Sequence, residues 1–177
     1  PAVAGLVAGD AEALFQVLEQ PSGSAGQTDW LLPLAAPLAR SPGQRLALAR
    51  ALVLAGNPQQ AEAILAAAAP SDTEPAGLRG GILAWRAAAL AGLGRQTQAL
   101  PYALQAAELI PGDGEVQWIL ARCLRDSGRI EEALAAYKKA LAALPQGSAL
   151  FNTASREFGE LSRRRRGGNG IPQGDRP

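Results

Sequence analysis

Residues 114–147 read GEVQWILARCLRDSGRIEEALAAYKKALAALPQG, and residues 80–113 read GGILAWRAAALAGLGRQTQALPYALQAAELIPGD. Laid one over the other, the two stretches stay in phase from end to end. Leu90 meets Leu124, Gly94-Arg95 meets Gly128-Arg129, Ala99-Leu100 meets Ala133-Leu134, Ala106 meets Ala140 and Pro111 meets Pro145, each pair 34 positions apart. Self-similarity at such a period marks a repeat architecture, in which each unit buries a face against the next.

Within residues 114–126, Val116, Ile119, Leu120, Cys123 and Leu124 fall on one stripe of a helix. Ser127-Gly128 interrupts it. Ile130, Ala133, Leu134, Tyr137, Ala140, Leu141 and Leu144 then recur at steps of three and four, a second amphipathic helix that ends before Pro145. Each copy is a helical hairpin. Small side chains at Ala99, Ala106, Ala133 and Ala140 let two helix axes approach closely.

The tight Gly turn, Ala133 early in the second helix, the aromatic Tyr137, the later Ala140 and the closing Pro145 resemble the tetratricopeptide repeat. Residues 42–70 supply a third copy through Leu48, Leu52, Gly56, Ala61, Leu65 and Ala68. Asn57 is placed to cap its second helix and Pro58 suits the first turn. Gly56 lies 38 residues before Gly94, and the surplus fits a longer loop over Pro70–Gly80. The resemblance implies an all-α fold, a right-handed α-α superhelix with a C-terminal capping helix. One domain is expected over residues 1–166: a degenerate hairpin at about 10–40, repeats at about 42–75, 80–113 and 114–147, and a capping helix at 148–166. Residues 167–177 are expected to be a disordered tail. Pro33 and Pro37 should bend or break the first apolar helix, and Pro101, tolerable near the start of its helix, should distort the first turns.

Ala and Leu dominate the composition, β-branched and aromatic residues are scarce, and summed propensity favours helix. The halves differ in charge: residues 1–78 carry three basic and seven acidic groups, residues 79–177 fourteen and nine. Fifteen Arg against two Lys suits bidentate recognition of carboxylates and as readily fits the bias of a GC-rich genome, the reading we favour, with a bacterial source expected. With one cysteine, Cys123, no internal disulfide can form. No apolar run reaches membrane-spanning length. A soluble, cytoplasmic protein is expected, with a periplasmic or membrane-associated one as the alternative if residue 1 follows a removed segment.

No histidine is present, which removes the commonest general base and most zinc and haem sites. No glycine loop has phosphate-cradling spacing. Cys123 sits on the apolar stripe, as a structural thiol would. Neither an enzyme nor a cofactor is expected.

In the family that the chain resembles, first helices line a concave groove and ligands lie across it. The aligned positions are Leu46, Arg50 and Val53, then Ala84, Ala88 and Ala91, then Trp118, Arg122 and Arg125, then Asn152 and Arg156 on the capping helix. The resemblance implies partner contacts at Leu46, Arg50, Trp118, Arg122, Arg125, Asn152 and Arg156. Trp118, Arg122 and Arg125 share a helical face away from the Val116/Ile119/Cys123 stripe, and an exposed Trp beside two Arg suits an acidic or amphipathic segment of a partner protein. The other reading packs Trp118 between hairpins and pairs the arginines with Asp126 and Glu157. A Lys/Asn clamp for an acidic C-terminus, as chaperone-binding members carry, is missing: Leu46, Arg50, Gly81, Ala84 and Ala88 occupy its places.

Arg163, Arg164, Arg165 and Arg166 form a basic run without the interleaved aromatics of a single-strand-binding surface, so nucleic acid fits poorly. The run reads as the solvated end of the capping helix, with contact to an anionic membrane surface as the alternative. An adaptor or assembly factor is the leading reading. The alternatives are a structural subunit of a larger complex and an accessory that uses the tetra-arginine tail.

Overall fold

The computed structural model describes residues 38–68 and 70–168, with side chains to Arg166. Of the expected hairpin at about 10–40 only residues 38–40 are described, and the break at Pro33 and Pro37 lies outside the described residues. Of the expected tail, residues 167 and 168 continue the last helix, while 169–177 lie outside the described residues. Within them are seven helices and no strand: α1 (Pro42–Leu54), α2 (Pro58–Ala67), α3 (Ala76–Gly92), α4 (Gln96–Leu109), α5 (Gly114–Asp126), α6 (Ile130–Ala143) and α7 (Ala149–Gly168). They form an all-α repeat solenoid of three hairpins, α1/α2, α3/α4 and α5/α6, followed by α7.

The three hairpin turns are built alike. Gly56, Gly94 and Gly128 adopt φ of 81, 74 and 76°, a left-handed conformation that costs a Cβ-bearing residue about 1 kcal/mol. After each of them the next amide reaches back over the turn: Asn57 to Leu52 O at 2.8 Å, and Arg95 to Leu90 O and Arg129 to Leu124 O at 2.9 Å. Asn57 stands at the N-cap of α2, as expected, yet its side chain makes no capping bond. Its ψ of 59° is far from the extended conformation of a capping residue, because the same residue also closes α1.

One expectation needs correction. The Pro70–Gly80 connection is shorter than expected, because α3 starts at Ala76, directly after Pro75, and its extra first turn packs Leu78 against the core. Pro101 is tolerated within α4, as expected, and the helix runs from Gln96 to Leu109. Pro101 and Thr97 are both exposed, so the carbonyl that loses its amide partner is open to water.

Each second helix presents small residues inward. Ala99, Ala106, Ala133 and Ala140 are 0% exposed, whereas Ala135 is exposed on the opposite face of α6. Close approach recurs where hairpins close: a Cβ on Gly80 would lie 2.6 Å from Ile110 Cγ1, and one on Gly114 would lie 2.8 Å from Leu144 Cγ, at positions 34 apart. Overpacking Ala133→Leu or Ala140→Leu is therefore expected to cost about 1–3 kcal/mol in urea unfolding, with Ala135→Leu near neutral. Equal costs at the three positions would contradict the helix phase.

Candidate functional site

Successive first helices pack side by side, α1 on α3 and α3 on α5, while each second helix packs on its own first helix and on the next one. The first helices therefore line one continuous face. On its N-terminal half, Leu46, Arg50, Gly77, Gly81, Trp85 and Ile110 surround a pocket of 330 Å³ with Glu115 at its far side. Gly81 fixes its width, since a Cβ there would lie 2.8 Å from Leu46 Cδ2. Gly43 and Gly77 border open space, where a Cβ would meet nothing within 4 Å.

Arg50 crosses this half. Its guanidinium lies 5.6 Å from the centroid of the Trp85 ring and hydrogen-bonds the Glu115 carboxylate, joining the first hairpin to the third. Burial pushes the Glu115 carboxyl above its ordinary range, and Arg50 pulls the other way. Trp85, 4% exposed, escapes the sequence argument because it aligns with Ile119 on the core stripe. Its ring lies 6.5 Å from that of Trp118, tilted by 57°.

On the C-terminal half, the expectation of an exposed Trp118 is overturned. Trp118 is 3% exposed, wedged beside Trp85, and its Nε1 donates to Glu157 Oε2 at 2.8 Å. Tyr137 Oη donates to the same oxygen at 3.2 Å. Arg122 and Arg125 approach Glu157 Oε1 at 3.8 and 3.9 Å, and Arg125 also pairs with Asp126 at 2.7 Å. The Arg122 guanidinium sits 4.9 Å from the Trp118 ring centroid. The alternative arrangement, Trp118 packed between hairpins with its arginines on Asp126 and Glu157, is the one the molecule adopts. Around Trp118 the charges balance, Arg122 and Arg125 against Asp126 and Glu157, with Arg156 an exposed further cation on α7. Glu157 thus fastens α7 to the last hairpin, and together with burial it holds the Tyr137 phenol above its ordinary pKa.

Asn152 and Arg156 are exposed on α7, where Asn152 Nδ2 donates to Gly147 O at 3.4 Å. Arg163, Arg164, Arg165 and Arg166 are exposed on the last described turns of α7, and Arg165 reaches Glu131 at 3.0 Å. Cys123 is 1% exposed and burial pushes its thiol up to about 12, which leaves it protonated and inert at neutral pH. Among the described residues no group of three or more His, Cys, Asp or Glu could hold a metal, and no helix is long and apolar enough to cross a membrane.

This geometry agrees with what the chain is similar to. No curated protein sequence matches it significantly. Among solved structures, a thermophilic TPR protein of Thermus thermophilus superposes with a TM-score of 0.63 at 24% identity, covering 87% of this chain and 82% of that one. MamA of the strain MSR-1 does so with a TM-score of 0.56 at 17% identity, covering 89% and 98%. MamA from Desulfovibrio magneticus gives a TM-score of 0.52 at 18% identity, covering 93% of this chain and all of that one. These likenesses establish the fold. Two family models, both described as tetratricopeptide repeat, match residues 42–67 and 90–155, which together make 92 of the 177 residues. The chain belongs to the tetratricopeptide repeat family.

Proposed function

We propose that the protein is a non-catalytic adaptor or assembly factor that holds a segment of a partner protein across its first-helix face. Membership in the repeat family carries the coarser role, protein interaction or scaffolding. The observation that supports the finer one is the 330 Å³ pocket between α1 and α3. Its walls are apolar at Leu46, Trp85 and Ile110, its rim carries the Arg50–Glu115 pair, and Gly43 and Gly77 leave its mouth open. An apolar side chain of the partner fills the pocket, and a neighbouring polar group exchanges hydrogen bonds with Arg50 or Glu115. Arg122, Arg125, Asn152 and Arg156 continue the path toward α7 as polar contacts.

Gly77→Leu tests this reading. Leucine at this exposed helical position adds bulk at the pocket's mouth, where a Cβ meets open space, and it favours the helix over glycine by up to about 1 kcal/mol, so lost binding cannot be ascribed to unfolding. In affinity capture from native lysate with quantitative mass spectrometry, the variant is expected to retain about a tenth or less of the partner that the parent chain retains. Undiminished capture by Gly77→Leu would remove the pocket from the account.

A further inference from the structure

A second concavity lies on the other side of α7. Leu134 and Ala135 of α6 and Phe158 and Gly159 of α7 floor a cleft of 680 Å³. The repeat explains why it is open. Phe158 lies 34 positions after Leu124, and Leu124 lies 34 after Leu90. Leu90 and Leu124 are 2% and 3% exposed, each belonging to a first helix that has its own second helix, α4 or α6. No second helix follows α7 among the described residues, and Phe158 is only half-buried. The cleft therefore has the floor of a position that a further helix would cover.

Its rim is predominantly cationic. Lys138, Arg163, Arg165 and Arg166 stand around it, all exposed, against the single carboxylate of Glu131, which Arg165 already engages at 3.0 Å. An apolar floor under a cationic rim is complementary to a helix with an apolar stripe flanked by Asp or Glu. Bare polyanions match the rim but have nothing to place on Leu134, Ala135 and Phe158. We propose that the α6/α7 cleft is a second docking site, separate from the first-helix face, that takes an acidic amphipathic helix of a partner protein. Three members of the basic run, Arg163, Arg165 and Arg166, thereby become part of the rim of a cleft.

The test uses fluorescence anisotropy with the full chain and three labelled probes. These are a short helical peptide with leucines at three- and four-residue spacing and glutamates on its flanks, a peptide of the same composition with the stripe scrambled, and an oligothymidylate. Ala135→Arg is the informative variant: it fills the cleft with bulk while adding a positive charge at an exposed position, so helix docking and polyanion binding respond with opposite sign. The striped peptide is expected to bind the parent chain, to bind Ala135→Arg at least about tenfold more weakly, and to bind Gly77→Leu unchanged. Thermal unfolding by circular dichroism confirms that each variant is folded. The proposal is overturned if the striped peptide does not bind, if the scrambled one binds as well, or if Ala135→Arg leaves or raises its affinity. It is also overturned if Gly77→Leu abolishes the binding, or if the oligothymidylate binds more tightly than the striped peptide.

Discussion

Trp118→Ala is expected to lower the unfolding free energy by about 3–5 kcal/mol, the range for deleting a buried aromatic side chain. Three losses combine. The cavity opens between α3 and α5, where the Trp118 ring packs beside Trp85, and such a pair contributes about 0.5–1.5 kcal/mol beyond the area it buries. The Arg122 guanidinium loses the ring beneath it. Glu157 loses its closest neutral donor, Trp118 Nε1. Trp118→Phe keeps most of the ring and removes the N–H, so it should cost less, about 1–3 kcal/mol. Urea unfolding followed by far-ultraviolet circular dichroism separates the two variants without relying on tryptophan emission. A cost below about 1 kcal/mol for Trp118→Ala would be that of an exposed side chain and would contradict the packing described here.

Glu157→Ala should be nearly as damaging, at about 2–4 kcal/mol, although it removes only a few atoms. The carboxylate side chain is 16% exposed, and its loss leaves Trp118 Nε1–H and Tyr137 Oη–H without their acceptor, at about 1–3 kcal/mol for each buried donor. Residual exposure of the site lets water recover part of that cost. Arg122 and Arg125 then face each other with Asp126 as the remaining anion. Since Glu157 ties α7 to α5 and α6, the loss should be local. Hydrogen exchange is expected to accelerate along Ala149–Leu161 while α3 and α4 keep their protection. Glu157→Gln retains an acceptor for the two donors and should fall between parent and alanine variant. Unchanged exchange in α7 for Glu157→Ala would mean that apolar contacts alone hold this helix.

What could be read from the sequence, and what could not, follows from how many faces a helix buries. In α6 a single stripe suffices: Ala133, Tyr137 and Ala140, all 0% exposed, were legible from their spacing. In α5 nine of thirteen residues are buried, because a first helix packs on its own partner, on the preceding second helix and on the preceding first helix. On the face that looks polar in isolation, Trp118 is therefore buried, while Arg122 and Arg125 stay half-exposed above it. Spacing located those residues on one face and made Glu157 one candidate pair for the arginines, but could not decide that Glu157 also accepts from Trp118 and Tyr137. That contact joins positions 39 and 20 residues apart at Trp118 and Tyr137, beyond any local pattern. Arg50 and Glu115 are 65 apart and were out of reach for the same reason. Asp126 and Glu157 could be named as carboxylates near the arginines, yet choosing between exposed and paired required the neighbouring helix. Glu157 also stands 34 positions after Cys123, where the stripe calls for an apolar residue, and this departure from the repeat was the one local sign of its role.

The partner-binding face can be tested before the partner itself is identified. A photo-crosslinking amino acid is placed at position 77, at the mouth of the pocket between α1 and α3, or at position 105, on the exposed side of α4. Each chain is irradiated in native lysate, and crosslinked peptides are identified by mass spectrometry. The account predicts that position 77 crosslinks reproducibly to one segment of one protein and that position 105 does not. Crosslinks to that protein from position 105, with none from position 77, would contradict it.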